Sequence, residues 1–318
     1  MEIPSQSPIL EIPGVPRESF VRPPSSGGAV PIHPRGLLIH EVVFGAFLVT
    51  AWVRSMGRDG PFSSGSLGDG GLLLLNGALI AACWQRESAR WWRLRLLFYG
   101  VAVNLVYFFM RGAAPRVGQF HHDLGLNAID VALLGLTPAM SLKSVRTPGL
   151  TDLFSLCYLS FYPYVVLSLI RSLFGNLALA RRFMAGLVTI YGIGYLGYEL
   201  VPASGPYVAF ASEFGGPLTG GWPTALNAAV VRLGTNGVDV FPSLHCAVSA
   251  FILFFDARFH RPRFWWCLGP CVGLWISTMY LGYHYAIDVV CGFALTALGL
   301  AIAFHRSRQS EGADSVLD

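Results

Sequence analysis

Eight apolar segments, separated by shorter polar ones, restrict what this chain can fold into. They cover approximately residues 37–55, 71–84, 94–110, 151–173, 183–200, 243–258, 264–281 and 284–304. A helix needs about 20 apolar residues to cross a bilayer, and several segments fall short of that length, so their ends are approximate. Charged residues make up only 13% of the chain, whereas a soluble domain contains about 25%. The sequence therefore predicts an all-α fold, a polytopic transmembrane helical bundle with about eight spans.

The two ends of the chain differ from this apolar middle. Residues 1–36 contain eight prolines and no apolar run long enough to cross a bilayer. We interpret them as a flexible, proline-rich tail and not as a signal peptide, because no apolar core follows a charged start. We expect a single membrane domain over residues 37–304 and a second short tail over residues 305–318.

The distribution of basic residues indicates how the bundle is oriented. With eight spans and a cytoplasmic N-terminus, 15 of the 22 Lys and Arg residues lie on the cytoplasmic side. The other 7 are Arg54, Arg58, Arg111, Arg116, Lys143, Arg146 and Arg232. The positive-inside rule therefore predicts a multi-pass integral membrane protein with both tails in the cytoplasm. It also puts residues 201–242 and 281–284 on the extracytoplasmic side.

Two long segments on that side have patterns of their own. Residues 124–140 combine leucines and isoleucine with Asn127 and Asp130, which predicts an amphipathic helix lying at the membrane interface. Residues 201–242 are rich in Gly and Pro and lead directly to His245. A loop of that length in a compact membrane protein usually has a function, such as a lid or a substrate entry path.

Composition argues against several kinds of partner. The net charge of +4 is modest and lies in loops, which fits membrane orientation and no nucleic-acid partner. All six cysteines fall inside apolar segments, where they are typical of small buried residues and not of disulfides. His121, His122 and Asp123 are consecutive and point in different directions on any regular element. We therefore expect no metal and no cofactor.

A first short motif, residues 241–245, contains Pro242, Ser243 and His245. Pro suits the first turn of a helix, and the free N–H groups of that turn form a natural anion site. We expect Ser243 to donate its hydroxyl and its backbone N–H to a phosphate oxygen. We expect His245 to protonate the departing oxygen as a general acid. A lone histidine near a helix start is more often structural, and a second motif is what favours catalysis here.

The second motif, residues 283–288, contains His284 and Asp288. On a helix, residues four apart lie one turn above each other on the same face. A carboxylate in that position fixes the proton on one ring nitrogen and leaves the other nitrogen free to attack. A structural histidine satisfied by a nearby carboxylate is the alternative interpretation, but ionisable residues at this depth are costly and usually functional. We predict that His284 is a nucleophile oriented by Asp288, with Ser277 facing the same pocket.

Both motifs resemble the type 2 phosphatidic-acid phosphatase (PAP2) superfamily, whose pattern is Pro-Ser-Gly-His followed by Ser-Arg-x5-His-x3-Asp. Leu244 stands where that pattern has Gly, and Thr278 stands where it has Arg. Both departures are similar to the branch that contains the inositol phosphorylceramide synthases, the aureobasidin-resistance family and their bacterial relatives. The similarity covers about residues 105–304 and includes residues 198–207, Asn127, Asp130, Gly135 and Tyr158.

The resemblance implies a PAP2-like six-helix catalytic core in which His284 forms a phosphohistidine, His245 is the general acid and Asp288 orients the nucleophile. The basic motif with which the phosphatases bind phosphate is missing, since the only lysine is Lys143. Arg111, at the outside end of a span, either binds the phosphate through its planar fork or anchors the span at the interface. The other candidates for phosphate contacts are Ser243, Ser277, Thr278, Arg116 and Arg232.

The expected activity is the transfer of a phospho-head-group, for example phosphoinositol, from a phospholipid donor to a lipid or polyol acceptor. If water takes the place of the acceptor, the same chemistry makes the protein a lipid phosphatase. A third interpretation is a non-catalytic lipid-binding or transport protein, although a decayed site would be expected to have lost at least one residue of the intact set. The bacterial relatives of the branch lead us to expect a bacterial inner membrane protein.

Overall fold

The computed structural model describes residues 37–86, 88–111 and 122–305. In chain order its helices are α1 (Ile39–Asp59), α2 (Ser64–Gln85), α3 (Ala89–Arg111), α4 (Asp123–Leu134), α5 (Pro138–Ser141), α6 (Pro148–Leu159), α7 (Phe161–Phe174), α8 (Leu177–Leu200), α9 (Pro206–Ala209), α10 (Ala211–Phe214), α11 (Trp222–Gly234), α12 (Leu244–Phe259), α13 (Arg261–Tyr280) and α14 (Ala286–Phe304). Within these ranges there is no β-strand, and an isolated bridge joins Ala203 to Asp239. The predicted all-α bundle is confirmed.

Six helical segments are long and apolar enough to cross a membrane: α1, α2, α3, α6 with α7, α8 and α14. The bent segment formed by α4 and the stretch 138–145 would make a seventh if it is counted as one span. α12 and α13 occupy the two remaining expected positions, but α12 has only 16 residues and α13 begins with two arginines. The expected count of about eight is therefore roughly consistent with the structure.

Contacts between helix ends show which of them lie together at the same end of the bundle. α12 and α14 begin side by side, because a backbone hydrogen bond of 3.0 Å joins their first turns. α13 ends where α6 begins, since Arg146 donates to the carbonyl of Tyr280 at 2.8 Å. α1 and α8 end at the same level, joined by an ion pair of 3.0 Å between Arg54 and Glu199. We call this the upper end of the bundle and the opposite one the lower end.

The centre of the bundle is formed by α8, α12 and α14, and α12 is the most enclosed of the three. Ring contacts of 5.3 to 5.6 Å join Phe183 of α8 to Phe251 and Phe255 of α12. α8 and α14 approach closely at Gly186 and Gly299, where a Cβ on Gly186 would lie 2.6 Å from the Gly299 carbonyl oxygen. Small residues of this kind let helix backbones touch within a membrane, so the upper turns of α12 and α14 stand on a rigid base.

The span expected over 151–173 is present and consists of α6 and α7, with a break at Ser160. Two expectations about the connecting segments need correction. The helix expected over 124–140 ends at Leu134, because Gly135 adopts a left-handed conformation and the stretch 138–145 then leaves at an angle of 81°. The loop expected over 201–242 contains α9, α10 and α11. The predicted tails, residues 1–36 and 306–318, lie outside the described residues.

Candidate active site

The first motif forms the N-terminus of α12 at the upper end. Ser243 is the N-cap residue, and its Oγ accepts a hydrogen bond from the Cys246 N–H at 3.4 Å. The segment before α12 can pass close to α8 because α8 has glycines at the contact. A Cβ on Gly197 would overlap Pro242 and lie 2.9 Å from the Phe241 carbonyl oxygen. The lack of side chains at Gly194 and Gly197 lets the start of α12 lie directly against α8.

The second motif begins with the turn that ends α13. Gly282 has a φ of +82°, and its N–H donates to the Met279 carbonyl at 3.0 Å. The N–H of Tyr283 donates to the Thr278 carbonyl at 2.9 Å, which completes a Schellman motif. The N–H of His284 donates to the same carbonyl at 3.0 Å. The glycine that terminates α13 therefore also fixes the backbone of His284.

His284 does not lie on a helix, contrary to the expectation from its spacing. Tyr285 is the N-cap of α14 and Asp288 is its third residue, so His284 precedes the helix. Asp288 nevertheless reaches back over the helix start, because its Oδ2 accepts the Tyr285 N–H at 2.8 Å and lies 3.4 Å from His284 Nδ1. The carboxylate and the ring therefore lie within ion-pair distance at the start of the helix and not on a shared helix face, and His284 Nδ1 makes no hydrogen bond among the described residues.

A second carboxylate holds the same helix start from outside the motif. Asp130 on α4 accepts the N–H groups of Ala286 and Ile287 at 2.8 and 2.9 Å. Asp123, at the start of α4, accepts the Tyr285 hydroxyl at 2.9 Å. Burial and the nearby Asp123 carboxylate raise the pKa of Tyr285, so its hydroxyl keeps the proton that it donates. α4 is thus attached to the beginning of α14 by two acidic side chains.

The two predicted catalytic histidines face each other at the upper end. Their ring centroids are 5.9 Å apart with an interplanar angle of 61°. His284 is 2% exposed and Asp288 is 0% exposed, whereas His245 is partly exposed. His245 Nδ1 has no hydrogen-bond partner among the described residues. At this separation, a tetrahedral group placed in the space beside both rings would contact each histidine.

Aromatic side chains from the break between α6 and α7 line this space. The His245 ring lies 4.7 Å from Tyr158 and 4.6 Å from Phe161, measured between centroids. Tyr283 packs edge-on against Tyr158 at 4.9 Å, and its hydroxyl accepts a hydrogen bond from the Asn227 amide at 2.9 Å. Burial raises the pKa of Tyr283, so that hydroxyl stays neutral. These ring contacts hold His245 in place.

Ser243 contacts the second motif in a way that the sequence did not predict. Its backbone N–H donates to the Asp288 carbonyl oxygen at 3.0 Å. The expectation that this N–H binds a phosphate oxygen is therefore corrected, because the group already has a partner. α14 can approach so closely because Gly292 has no side chain, and a Cβ there would lie 2.6 Å from the Ser243 carbonyl oxygen.

The other predicted phosphate contacts are placed as follows. Ser277 and Thr278 are buried, and each hydroxyl donates to a carbonyl of its own helix at 2.7 Å. Arg232 lies in the last turn of α11. Arg111 is the last residue of α3, but its side chain lies outside the described residues, as does all of Arg116. The phosphate-binding role of all five residues, with Ser243, stays a prediction.

Two other basic residues at the upper end already donate hydrogen bonds to backbone carbonyls. Arg146 donates to the Tyr280 carbonyl at 2.8 and 3.0 Å, and burial lowers the pKa of its guanidinium. Lys143 Nζ donates to the Glu213 carbonyl at 2.5 Å. Both side chains therefore connect elements of the scaffold around the histidines.

The described residues contain no group of three or more His, Cys, Asp or Glu that could hold a metal ion. The sequence His121, His122 and Asp123 was weighed as such a site, and His121 lies outside the described residues. Asp123 has another function here, since it accepts the N–H groups of Ser204 and Gly205 at 3.0 and 2.9 Å. It thereby anchors the segment that follows α8.

Sequence reasoning missed several residues of the site. Asp130 was noted in the amphipathic pattern and in the family resemblance but not as a residue of the site, and Phe161 and Asn227 were not identified. Asp152, also unidentified, holds the start of α11 by accepting the Gly221 N–H at 2.8 Å and the Thr224 hydroxyl at 2.6 Å. The one available signal was Trp-Pro at residues 222–223, because Pro is common in the first turn of a helix.

The fold and the site together define a class of protein: a helical membrane protein with two facing histidines and a buried carboxylate at one end of the bundle. Comparison with protein-family models gives a match to the PAP2 superfamily over residues 126–302. This match covers more than half of the chain and includes both motifs, so the chain belongs to the PAP2 superfamily. No curated protein and no solved structure matches the chain.

Membership of this superfamily has a direct functional meaning. Its members are generally phosphatases or phosphotransferases. Membership of the superfamily therefore supports enzyme activity for this chain. The family match supports an activity of this type on lipids. Several apolar helices of membrane-spanning length agree with a membrane protein.

Proposed function

We propose that this protein is a lipid phosphotransferase that moves a phospho-head-group, for example phosphoinositol, from a phospholipid donor to a lipid or polyol acceptor. The observation that carries the proposal is the pair of facing histidine rings, 5.9 Å apart, with the Asp288 carboxylate 3.4 Å from His284 Nδ1. A nucleophile, an acid and an orienting carboxylate in one enclosed space are the groups that stepwise phosphoryl transfer requires.

In the first step His284 attacks the phosphorus of the donor. Asp288 keeps the ring proton on Nδ1, which leaves the lone pair of Nε2 free to form the nitrogen–phosphorus bond. The bond from phosphorus to the diacylglycerol oxygen breaks as the new bond forms. The protonated His245 gives its proton to that oxygen, so diacylglycerol departs as a neutral alcohol.

In the second step the acceptor resolves the phosphohistidine. The neutral His245 takes the proton from the acceptor hydroxyl while its oxygen bonds to phosphorus. The nitrogen–phosphorus bond then breaks and regenerates His284. Each histidine returns to its starting protonation state, so the cycle needs no further reactant.

Two features support an alcohol as the acceptor in place of water. Tyr158, Phe161 and Tyr283 surround the histidine pair, and an apolar wall of this kind favours a lipid hydroxyl over bulk water. Thr278 also stands where the phosphatase pattern has Arg, and its hydroxyl is engaged within its own helix. Hydrolysis is the second candidate, because His245 is not fully buried.

The test is turnover of the purified protein with head-group-labelled phospholipids, with and without ceramide, diacylglycerol or a polyol as acceptor. We expect the labelled phospho-head-group on the acceptor, identified by mass. Release of the labelled head-group without an acceptor would instead establish hydrolysis and reject the transferase.

Substitution of the predicted nucleophile separates catalysis from binding. His284→Ala should lower turnover by about 10³-fold or more, because the phosphohistidine cannot form. The matched control is His305→Ala, which alters an exposed histidine at the lower end of α14. If His284→Ala keeps the activity of wild type, or if neither protein forms a product, the catalytic proposal fails and a lipid-binding or transport role replaces it.

A further inference from the structure

A polar cavity lies at the lower end of the bundle, far from the histidine pair. Its volume is about 310 Å³, and it is enclosed by the ends of α7 and α12 and the beginnings of α8 and α13. Its polar lining includes Arg171, Ser172, Asn176, Asp256, His260 and Arg263. Eleven residues of α12 separate His245 from Asp256, which is about 16 Å along a helix. The mechanism proposed above uses none of these residues.

The cavity carries a net positive charge. Arg263 lies 3.3 Å from the Asp256 carboxylate and also donates to the Ser168 hydroxyl, so its charge is balanced. Arg171 has no carboxylate within ion-pair distance among the described residues, and its Nη2 lies 3.0 Å from His260 Nδ1. One guanidinium therefore faces the cavity walls without a counter-ion from the part of the chain that the structure describes.

Two further donors accompany Arg171. Ser172 is a lining residue of the cavity, and its Oγ is buried beside it with no hydrogen-bond partner in the described part of the chain. Arginine has no acceptor, so Nδ1 of His260 must accept the hydrogen bond, and the neutral ring then carries its proton on Nε2. Burial, followed by Arg171 and Arg263, lowers the pKa of His260 and keeps the ring neutral. A guanidinium, a hydroxyl and an imidazole N–H thus stand around one space.

The lower end also carries side chains typical of a membrane surface. Trp265 and Trp266, in the first turns of α13, are 66% and 82% exposed. Phe174, the last residue of α7, is 82% exposed. Exposed tryptophans are enriched where the acyl chains of the bilayer meet the head-groups. The cavity therefore lies at the depth at which the phosphates of phospholipids are found.

We propose that this cavity binds a phosphate group, held by the guanidinium of Arg171, the hydroxyl of Ser172 and the Nε2–H of His260. An arginine fork suits the oxygens of a phosphate, and a tetrahedral anion accepts hydrogen bonds from several directions at once. The volume lies at the lower limit of about 300 to 1,000 Å³ that is usual for small-molecule sites. The phosphate belongs either to a lipid head-group or to free phosphate.

The site is tested with a photoreactive phosphatidic acid that carries its crosslinking group near the glycerol. Full-length protein in phosphatidylcholine nanodiscs is irradiated, and the crosslinked peptides are identified by mass spectrometry. We expect crosslinks to residues 168–180 and 255–263 that a photoreactive diacylglycerol, which lacks the phosphate, does not give. Equal labelling by the two probes would overturn the proposal, because the phosphate would then contribute nothing.

A charge-matched pair of variants locates the binding. Arg171→Gln should weaken phosphatidic acid binding about tenfold, equivalent to about 1.4 kcal/mol. Arg261→Gln removes an exposed arginine from the same end that does not line the cavity, and it should bind as wild type does. Ser172→Ala, which changes no charge, should also weaken binding. Equal losses in Arg171→Gln and Arg261→Gln would attribute the labelling to general surface charge and reject the site.

Competition between the photoreactive probe and unlabelled ligands identifies the source of the phosphate. Inorganic phosphate that displaces the probe at millimolar concentration would identify free phosphate as a ligand of the site. Displacement by unlabelled phosphatidic acid alone would identify the lipid head-group. His284→Ala should keep the lower-end crosslinks, so a failure of the proposed transferase and a failure of this site are observed separately.

Discussion

The Asp288 carboxylate is engaged from two directions. One oxygen accepts the Tyr285 N–H at 2.8 Å and lies 3.4 Å from His284 Nδ1, and the side chain is fully buried. Its other oxygen, Oδ1, has no hydrogen-bond partner among the described residues. The carboxylate is therefore held by the backbone beside the His284 ring.

Replacing this carboxylate by an amide keeps the shape of the side chain but changes how the proton of His284 is held. We expect Asp288→Asn to lower kcat by about 10² to 10⁴-fold with little change in KM, because the amide no longer fixes the proton on His284 Nδ1. Steady-state kinetics on the phospholipid donor measure both constants. Glu213→Gln, an exposed neutralisation in α10, is the matched control. A rise in KM with unchanged kcat would contradict the orienting role.

Single residues show why part of this site was not predictable. The spacing of His284 and Asp288 indicated that the two side chains meet, and they do. The contacts of Asp130 with Ala286 and Ile287 join residues more than 150 positions apart. A contact that depends on how α4 packs leaves no local pattern in the sequence. The same holds for the hydrogen bond from Asn227 to Tyr283.

At the level of elements, apolar runs predicted the long helices well and their interruptions poorly. The break at Ser160 was missed because serine does not end a helix by itself, and the residues on both sides are apolar. α11 was missed because its first turn depends on Asp152 of α6. Gly135 and Gly282 were visible in the sequence, but each becomes a helix end only through its left-handed backbone.

The contact between α8 and the start of α12 gives a prediction for these elements. Gly197→Ala should destabilise the protein by about 1–3 kcal/mol and lower turnover, because the added methyl overlaps Pro242 and displaces the N-cap of α12. Thermal unfolding in detergent and turnover on the phospholipid donor measure the two effects.

A second glycine serves as the control. Gly45→Ala on α1 adds a methyl with no atom within 4 Å, and it should leave turnover unchanged while favouring the helix by up to about 1 kcal/mol. The packing argument is wrong if Gly197→Ala behaves like Gly45→Ala in both measurements.

For the whole molecule, composition and hydropathy were sufficient to predict a helical membrane bundle, and the two motifs were sufficient to identify the superfamily. The span count was harder, because α12 is short for a span and is largely enclosed by other helices. Successive long helices alternate between the upper and lower ends of the bundle, and this alternation gives information on the span count that hydropathy lacks.

Orientation in the membrane is a testable property of the whole bundle. We expect the upper end, with the histidines, on the extracytoplasmic side and both tails in the cytoplasm, because that arrangement puts 15 of the 22 basic residues inside. In intact cells, a membrane-impermeant maleimide should label Phe62→Cys, a position 87% exposed between α1 and α2. His305→Cys, at the lower end, should react only after lysis, with the wild type as background. The opposite pattern would invert the orientation.

The hydrogen bond from the Ser243 N–H to the Asp288 carbonyl has a kinetic consequence. It joins the two motifs through their backbones, so we expect His245 and His284 to keep their spacing when the surrounding helices move. In the proposed reaction, acid and nucleophile are then ordered when the chain folds and not in each catalytic cycle. Donors with long and short acyl chains should then share one chemical rate constant and differ only in how fast they enter and leave.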